Sequence, residues 1–129
     1  MRMMAVERIH HVAVNVTDLA QSRRFYTEVL GLSEIPRPDF DFPGAWFALG
    51  AQQLHLIVHP PARTLRETKE IDSRDGHFAL RVRSYLEALD HLRALDVPHS
   101  ARPQGKTSFQ QIFITDPDGN VIELNAERA

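Results

Sequence analysis

Hydrophobic and polar residues alternate over residues 9–16 (IHHVAVNV), which predicts a strand with one buried face. One face carries His10, Val12, Val14 and Val16, and the other carries Ile9, His11, Ala13 and Asn15. The period then becomes helical over residues 19–30, where Asp18 is placed to cap the helix and Gly31 to end it.

The same succession of patterns returns further along the chain. Residues 77–83 (HFALRVR) alternate, with His77, Ala79 and Arg81 on the face opposite Phe78, Leu80 and Val82. Ser84 and Glu87 form a capping-box pattern ahead of a helix over residues 85–96. The chain therefore contains two copies of one module.

Each half closes with a hairpin signal. In the first half, strand patterns flank Gly50-Ala51-Gln52; in the second, they flank a type I turn that starts at Asp116. Each half reads strand, helix, strand, strand, strand. We therefore predict one α+β domain of two tandem βαβββ modules, about 7–60 and 77–127, with a polar linker over 60–76. The curved mixed sheets are expected to surround a metal-binding cavity.

Composition narrows the functional classes. The 129 residues suit a single domain, and a net charge of −2 gives no indication of a nucleic-acid partner. The absence of cysteine excludes disulfides and thiolate ligands. No apolar run is long enough for a membrane helix, and charges interrupt the N-terminal stretch, so we expect a cytoplasmic protein.

Four residues that can bind a metal are expected on the faces turned away from the helices: His11, His55, His77 and Glu123. If the two sheets curl towards each other, these side chains can converge on one divalent ion. Zinc, nickel, manganese and iron all accept nitrogen and oxygen ligands. The alternative is that these are ordinary polar residues of amphipathic strands. The alternation places His10 on the helix side, so His11 is favoured over it.

Glu123 is the only anionic member of this set and is the candidate catalytic residue. Further side chains are predicted to bind a small-molecule substrate at the cavity or its rim: Trp46, Arg81, Arg102, Lys106, Gln111 and Phe113.

The segments HHVAVNVTDLAQSRRFYTEVLGL, QLHLIV, GHFALRV and DPDGNVIEL resemble the vicinal oxygen chelate superfamily, which contains glyoxalases, bleomycin- and fosfomycin-resistance proteins and extradiol dioxygenases. The resemblance covers nearly the whole chain. It implies paired βαβββ modules, a homodimer, and a metal held by His11, His77, Glu123 and the residue at position 55. Glyoxalase I generally has glutamate where this chain has His55. This departure argues against glyoxalase I activity, because a metal-bound glutamate is a natural base for its proton transfer.

The resemblance leaves three functions open. The leading interpretation is an enzyme whose metal acts as a Lewis acid on a small substrate with two vicinal oxygens, in lyase, isomerase or transferase chemistry. The first alternative is an iron(II) extradiol-type dioxygenase. The second is a drug- or metabolite-binding protein without catalysis. Whether the site lies within one chain or across a dimer stays open.

Overall fold

The computed structural model describes residues 3–128 and contains the two βαβββ modules that the sequence predicts. The first module consists of β1 (His11–Val16), α1 (Leu19–Arg24), β2 (Glu34–Ile35), β3 (Gly44–Leu49) and β4 (Gln52–Val58). The second consists of β5 (His77–Arg81), α2 (Tyr85–Ala94), β6 (Ser100–Arg102), β7 (Phe109–Thr115) and β8 (Val121–Glu127). None of the helices within residues 3–128 is long and apolar enough to cross a membrane.

Each module forms its own four-stranded mixed sheet, and neither sheet is closed. The strand orders are β1-β4-β3-β2 and β5-β8-β7-β6. The first strand of each module runs parallel to the last, and the remaining pairs are antiparallel. The last strand of each module is therefore an inner strand, paired on both sides.

The alternation of the strands has the predicted consequence: one face of each sheet is buried against the helices. These faces and the helices share a single apolar core, which includes Val16, Tyr26, Phe47, Leu54, Leu56, Leu89, Leu92, Ile112, Ile114, Ile122 and Leu124. The opposite faces carry the polar residues of the strands. The core thus fixes which way the candidate ligands point.

The first helix differs from the prediction in its second half. Asp18 caps α1 as expected, accepting a hydrogen bond from the backbone N–H of Gln21 at 3.1 Å. From Phe25 to Val29, however, the helix widens into a π-helical turn. The hydroxyl of Thr27 donates to the carbonyl of Arg23 at 2.8 Å, and such side-chain competition for carbonyls disturbs an α-helical ladder.

The second helix begins with only half of the predicted capping box. The hydroxyl of Ser84 accepts a hydrogen bond from the backbone N–H of Glu87 at 3.2 Å. The Glu87 carboxylate does not return the bond to Ser84 and instead pairs with Arg83 at 3.1 Å. A long cation one turn away is a better partner for this exposed carboxylate than a single backbone N–H.

The turn between β7 and β8 joins the two modules. Asp116 is buried and accepts hydrogen bonds from the backbone N–H groups of Asp118 and Asn120, both at 2.9 Å. Its other oxygen accepts from the Tyr26 hydroxyl of the first module at 2.8 Å. Asn120 also donates to the carbonyl of Asn15 at the end of β1. The turn therefore holds the first module as well as its own hairpin.

Candidate metal centre

One pair of candidate ligands lies on the outer face of the first sheet. His11 begins β1 and His55 lies within β4, and their imidazole rings stack with centroids 4.1 Å apart. His11 is exposed, whereas only 7% of the His55 surface is accessible. Trp46 of β3 stacks on the same imidazole with centroids 3.9 Å apart. His55 is therefore held between an indole and a second imidazole.

The neighbours of His55 determine its protonation. Its Nε2 lies 2.8 Å from the side-chain oxygen of Gln53, and an amide oxygen only accepts, so Nε2 carries the proton and Nδ1 keeps a free lone pair. Burial, followed by the charges of His11, His10 and Arg37, lowers the pKa of His55 from 6.5 to about 4. The ring is therefore neutral near neutral pH, which is the state that a metal ligand requires.

The other pair lies on the outer face of the second sheet. His77 begins β5, and Glu123 is buried within β8. Nε2 of His77 lies 3.4 Å from Oε1 of Glu123. The ring of Phe113 meets the imidazole edge-to-face at 5.7 Å, so one side of the pair is covered by an apolar wall.

Hydrogen bonds behind this pair leave its facing atoms free. Nδ1 of His77 donates to the carbonyl of Asp75 at 2.8 Å, so the neutral ring keeps its lone pair on Nε2, towards Glu123. The second carboxylate oxygen of Glu123 accepts from the Asn125 amide at 2.9 Å, and Asn125 in turn accepts from Nε of Arg81 at 2.6 Å. Outer hydrogen bonds of this kind orient metal ligands in proteins.

The spacing of the second pair suits a shared ion. Two donors bound to one ion at metal–ligand distances of 2.0–2.2 Å with tetrahedral angles lie roughly 3.3–3.6 Å apart. The distance of 3.4 Å between His77 and Glu123 falls in this range. The positions of His77 and Glu123 therefore fit those of two ligands of one divalent ion.

The two pairs do not come together in a single chain. Within residues 3–128, no three His, Asp or Glu side chains lie close enough to hold one ion. The first sheet offers His11 and His55, and the second offers His77 and Glu123. Each pair is thus half of the donor set that a metal site with three or four protein ligands needs.

The predicted substrate-binding residues lie mostly on the same two outer faces. Trp46 stacks on His55, and Phe113 is the register partner of Glu123 on β7. The next row across the second sheet is Arg81, Asn125, Gln111 and Arg102. Lys106, by contrast, lies exposed in the loop between β6 and β7 and belongs to neither strand row.

The sequence reasoning missed the residues that orient the candidate ligands. Gln53, Asp75 and Asn125 each lie two positions from the ligand that they contact. Gln53 and Asn125 could have been found from the sequence, because side chains two positions apart on a strand share a face. His10 was assigned to the helix side, yet its Nδ1 lies 2.9 Å from Nδ1 of His11. It precedes β1, where strand alternation no longer fixes side-chain direction.

The paired modules and the polar outer faces define the class of protein, and comparison identifies its family. The profile of the Glyoxalase/Bleomycin resistance protein/Dioxygenase superfamily matches residues 8–124, and this chain belongs to that superfamily. A lactoylglutathione lyase of Salmonella typhimurium is 30% identical over 122 residues, covering 91% of this chain and 90% of that protein.

Solved structures share the fold at lower identity. A protein from Bacillus anthracis assigned to the glyoxalase family superimposes with a TM-score of 0.82 and 24% identity, covering 98% of this chain and all of that one. A mutant fosfomycin resistance protein, FosX, from Listeria monocytogenes, complexed with Mn(II) and 1S,2S-dihydroxypropylphosphonic acid, superimposes with a TM-score of 0.76 and 19% identity. That match covers 96% of this chain and 95% of the FosX chain.

Proposed function

We propose that this protein is a metal-dependent enzyme that acts on a small substrate through two vicinal oxygens, in lyase, isomerase or transferase chemistry. The observation that carries the proposal is the His77–Glu123 pair. Its facing atoms are 3.4 Å apart and free of other bonds, because Asp75 and Asn125 engage the atoms behind them. A salt bridge alone would not need both partners to be oriented from behind.

The ligand set that we propose is His11, His55, His77 and Glu123, and the site is completed by a second copy of the chain. Since each chain holds two half-sites on separate open sheets, a two-fold dimer can place the first sheet of one protomer against the second sheet of its partner. Such a homodimer would contain two equivalent centres. The unpaired outer edges of the sheets also favour association.

The bound ion would supply Lewis acidity at the substrate oxygens, and zinc, nickel, manganese or iron fits the donors. The relatives support this: the FosX mutant is in complex with Mn(II), and the Salmonella relative is a lactoylglutathione lyase. The carboxylate of Glu123 is the only anionic group of the set and keeps basic lone pairs when one of its oxygens binds an ion, whereas a bound neutral imidazole has no lone pair left to accept a proton. We therefore assign it the catalytic proton transfer.

His55 separates this protein from glyoxalase I. A second glutamate at this position would provide an anionic ligand and base, whereas His55 is a neutral imidazole between Trp46 and His11. With one carboxylate in place of two, the protein contributes a charge of −1 to the centre. A metal with less anionic compensation is a stronger Lewis acid when its ligand shell is otherwise the same.

The proposal is tested by elemental analysis of the purified protein combined with a panel of dicarbonyls, epoxides and catechols. We expect about one divalent ion per chain and turnover that requires it. Protein that takes up none of the four metals on titration would refute the proposed enzyme. Binding of a panel compound without metal and without turnover would instead indicate the binding-protein alternative.

The donor set also suits a second candidate, an iron(II) extradiol-type dioxygenase. Two histidines and one carboxylate with open positions are the usual ligands of non-haem iron in such enzymes, and His11, His77 and Glu123 provide them. Only this candidate consumes molecular oxygen. Oxygen uptake with a catechol and the Fe(II)-loaded protein separates it from the leading proposal.

A further inference from the structure

Arg102 is a cation on the outer face of the second sheet that is left without a carboxylate partner. Within residues 3–128, its guanidinium is part of no ion pair. The guanidinium carbon lies 4.9 Å from the centroid of the Phe113 ring, and Phe113 is the register partner of Glu123. The charge of Arg102 is therefore turned towards the side of the sheet where Glu123 lies.

Arg81, at the other end of the same row, is already engaged. It donates from Nε to Asn125, and its terminal nitrogen lies 3.5 Å from the carboxylate of Glu127. Arg81 thus orients Asn125 behind Glu123 and has a compensated charge. Of the two arginines in the row, Arg102 is the one available to a ligand.

Gln111 provides a second donor next to Arg102. The two residues are register partners on β6 and β7, and Gln111 is half-buried. Within the described part of the chain, its side-chain amide makes no hydrogen bond to a protein group. A guanidinium fork beside a free amide donor is well suited to the oxygens of an acid group.

We propose that Arg102 and Gln111 form an oxyanion subsite, which binds a carboxylate, phosphate or phosphonate group of the substrate. This deepens the proposed function, on which its role in catalysis rests. The Arg102 row lies two residues along the strands from the Glu123 row, a separation of roughly 7 Å. Because β7 lies between β6 and β8, Arg102 is also two strand spacings, roughly 9.5 Å, across the sheet from Glu123. The substrate is therefore an acid whose charged group lies at the opposite end from the oxygens that Glu123 serves.

The subsite is tested without metal or turnover, because it lies within one module. Metal-free protein is titrated with inorganic phosphate, methylphosphonate and acetate, and binding is followed by calorimetry and by the NMR signals of arginine Nε–H groups. We expect Arg102→Gln to weaken binding of the preferred anion at least about tenfold, as loss of a charge-assisted pair does. Arg102→Lys should have an intermediate effect, because it keeps the charge and loses the fork.

Arg93→Gln is the matched control, since Arg93 is exposed on α2 and its loss changes the net charge equally. It should leave anion binding unchanged. Equal weakening in Arg93→Gln and Arg102→Gln, or wild-type protein that binds none of the three anions, would overturn the subsite. The ranking of phosphate, methylphosphonate and acetate identifies which acid group it takes.

Metal affinity, measured in the same variants, separates this proposal from the proposed function. We expect Arg102→Gln to bind metal as the wild type does. Anion binding that depends on Arg102 in a protein that takes up no metal would support the subsite and refute the enzyme. Normal metal uptake, together with anion binding that is unchanged in Arg102→Gln, would refute the subsite and leave the proposed enzyme supported.

Discussion

The imidazoles of the candidate centre differ in how firmly each is oriented. His55 is fixed by Gln53 and by stacking on Trp46, and His77 is fixed by the Asp75 carbonyl. His11 is exposed, and within residues 3–128 its ring contacts the imidazoles of His10 and His55. Removing a ligand that is already oriented should cost more metal affinity than removing one that must first be ordered.

Glu123→Gln should lower metal affinity at least about tenfold, because it removes the only anionic ligand and keeps the shape of the side chain. Competition titrations with a chromophoric chelator measure the change. Glu87→Gln, on the exposed side of α2, is the control and should bind metal normally. Unchanged affinity in Glu123→Gln would remove Glu123 from the ligand set.

In the wild type, bound metal should be lost below roughly pH 5 as protons compete for the imidazoles.

His55→Ala should weaken metal binding together with turnover if His55 is a ligand. The alternative is that this histidine hydrogen-bonds the substrate or a metal-bound water. His59→Ala, in the exposed segment after β4, serves as the control. Metal affinity that stays at the wild-type value while turnover disappears would assign His55 to the substrate.

Strand alternation explains why the candidate ligands could be placed from sequence. Leu54 and Leu56 must enter the core, so His55 must point outwards, and the same holds for Glu123 between Ile122 and Leu124. Whether the two outer faces meet could not be predicted, because strand periodicity carries no information on how two sheets are arranged in space. The tautomers depended on contacts such as that with the Asp75 carbonyl, which precedes β5 and lies outside any periodic pattern.

At the scale of elements, the β7–β8 turn both closes its own hairpin and forms hydrogen bonds to the first module. Its sequence predicted a type I turn, and the backbone N–H of Gly119 does bond to the carbonyl of Asp116 at 2.9 Å. The bond from Tyr26 could not be predicted, since it depends on the π-helical turn that presents that side chain. The hydrophobic periodicity of the sequence indicates neither the π-helical turn nor the contact between Tyr26 and Asp116, which lie 90 residues apart.

Tyr26→Phe should destabilise the protein by about 1.5–3 kcal/mol at pH 7, the usual cost of losing a hydrogen bond to a charged group. Burial raises the pKa of Asp116, and the bonds from Asn120 and Tyr26 partly offset this. Protonation of Asp116 therefore favours the folded state, and this contribution is lost as pH rises through its folded-state pKa. The destabilisation caused by Tyr26→Phe should shrink as pH falls towards 4, because the neutral carboxyl is a weaker acceptor.

Urea unfolding at several pH values measures this effect. Tyr85→Phe is the control, because Tyr85 is also buried and its hydroxyl makes no hydrogen bond within residues 3–128. It should change stability by less than about 1 kcal/mol at every pH. A Tyr26→Phe effect as small as that of the control would show that the bond to Asp116 does not hold the modules together.

At the scale of the whole molecule, the separation of the two half-sites predicts complementation between variants. His11→Ala and His77→Ala should each be inactive and bind metal poorly as homodimers. When the two proteins are mixed and allowed to exchange subunits, about a quarter of the wild-type sites should return. Each mixed dimer then has one intact site and one doubly altered site.

Light scattering on the same samples should report a dimer at micromolar concentration. A monodisperse monomer with full metal binding would contradict the shared site, as would a mixture that recovers nothing although subunits exchange. Mixing two samples of His11→Ala is the control and should restore no sites.

The reaction class is tested on the metal-loaded wild-type protein. Turnover of the substrate that the panel identifies should persist without oxygen and with zinc, because Lewis-acid chemistry needs no redox change. The rate is compared in aerobic and anaerobic buffer with zinc or iron bound. Ring cleavage that stops when oxygen is removed would establish the dioxygenase alternative.

The position of β8 within its sheet has a consequence for biosynthesis. β8 is one of the two inner strands of its sheet, with β5 on one side and β7 on the other, yet it is the last of the four strands of that sheet to be synthesised. A nascent chain stopped before Val121 would carry β5 and β7 with no strand between them, and the strand edges that pair with β8 would lack a partner. The first module has all of its strands by Val58 and needs none of the second to complete its sheet. Premature termination should therefore yield a half-folded product with exposed strand edges, the kind of species that aggregates or is degraded.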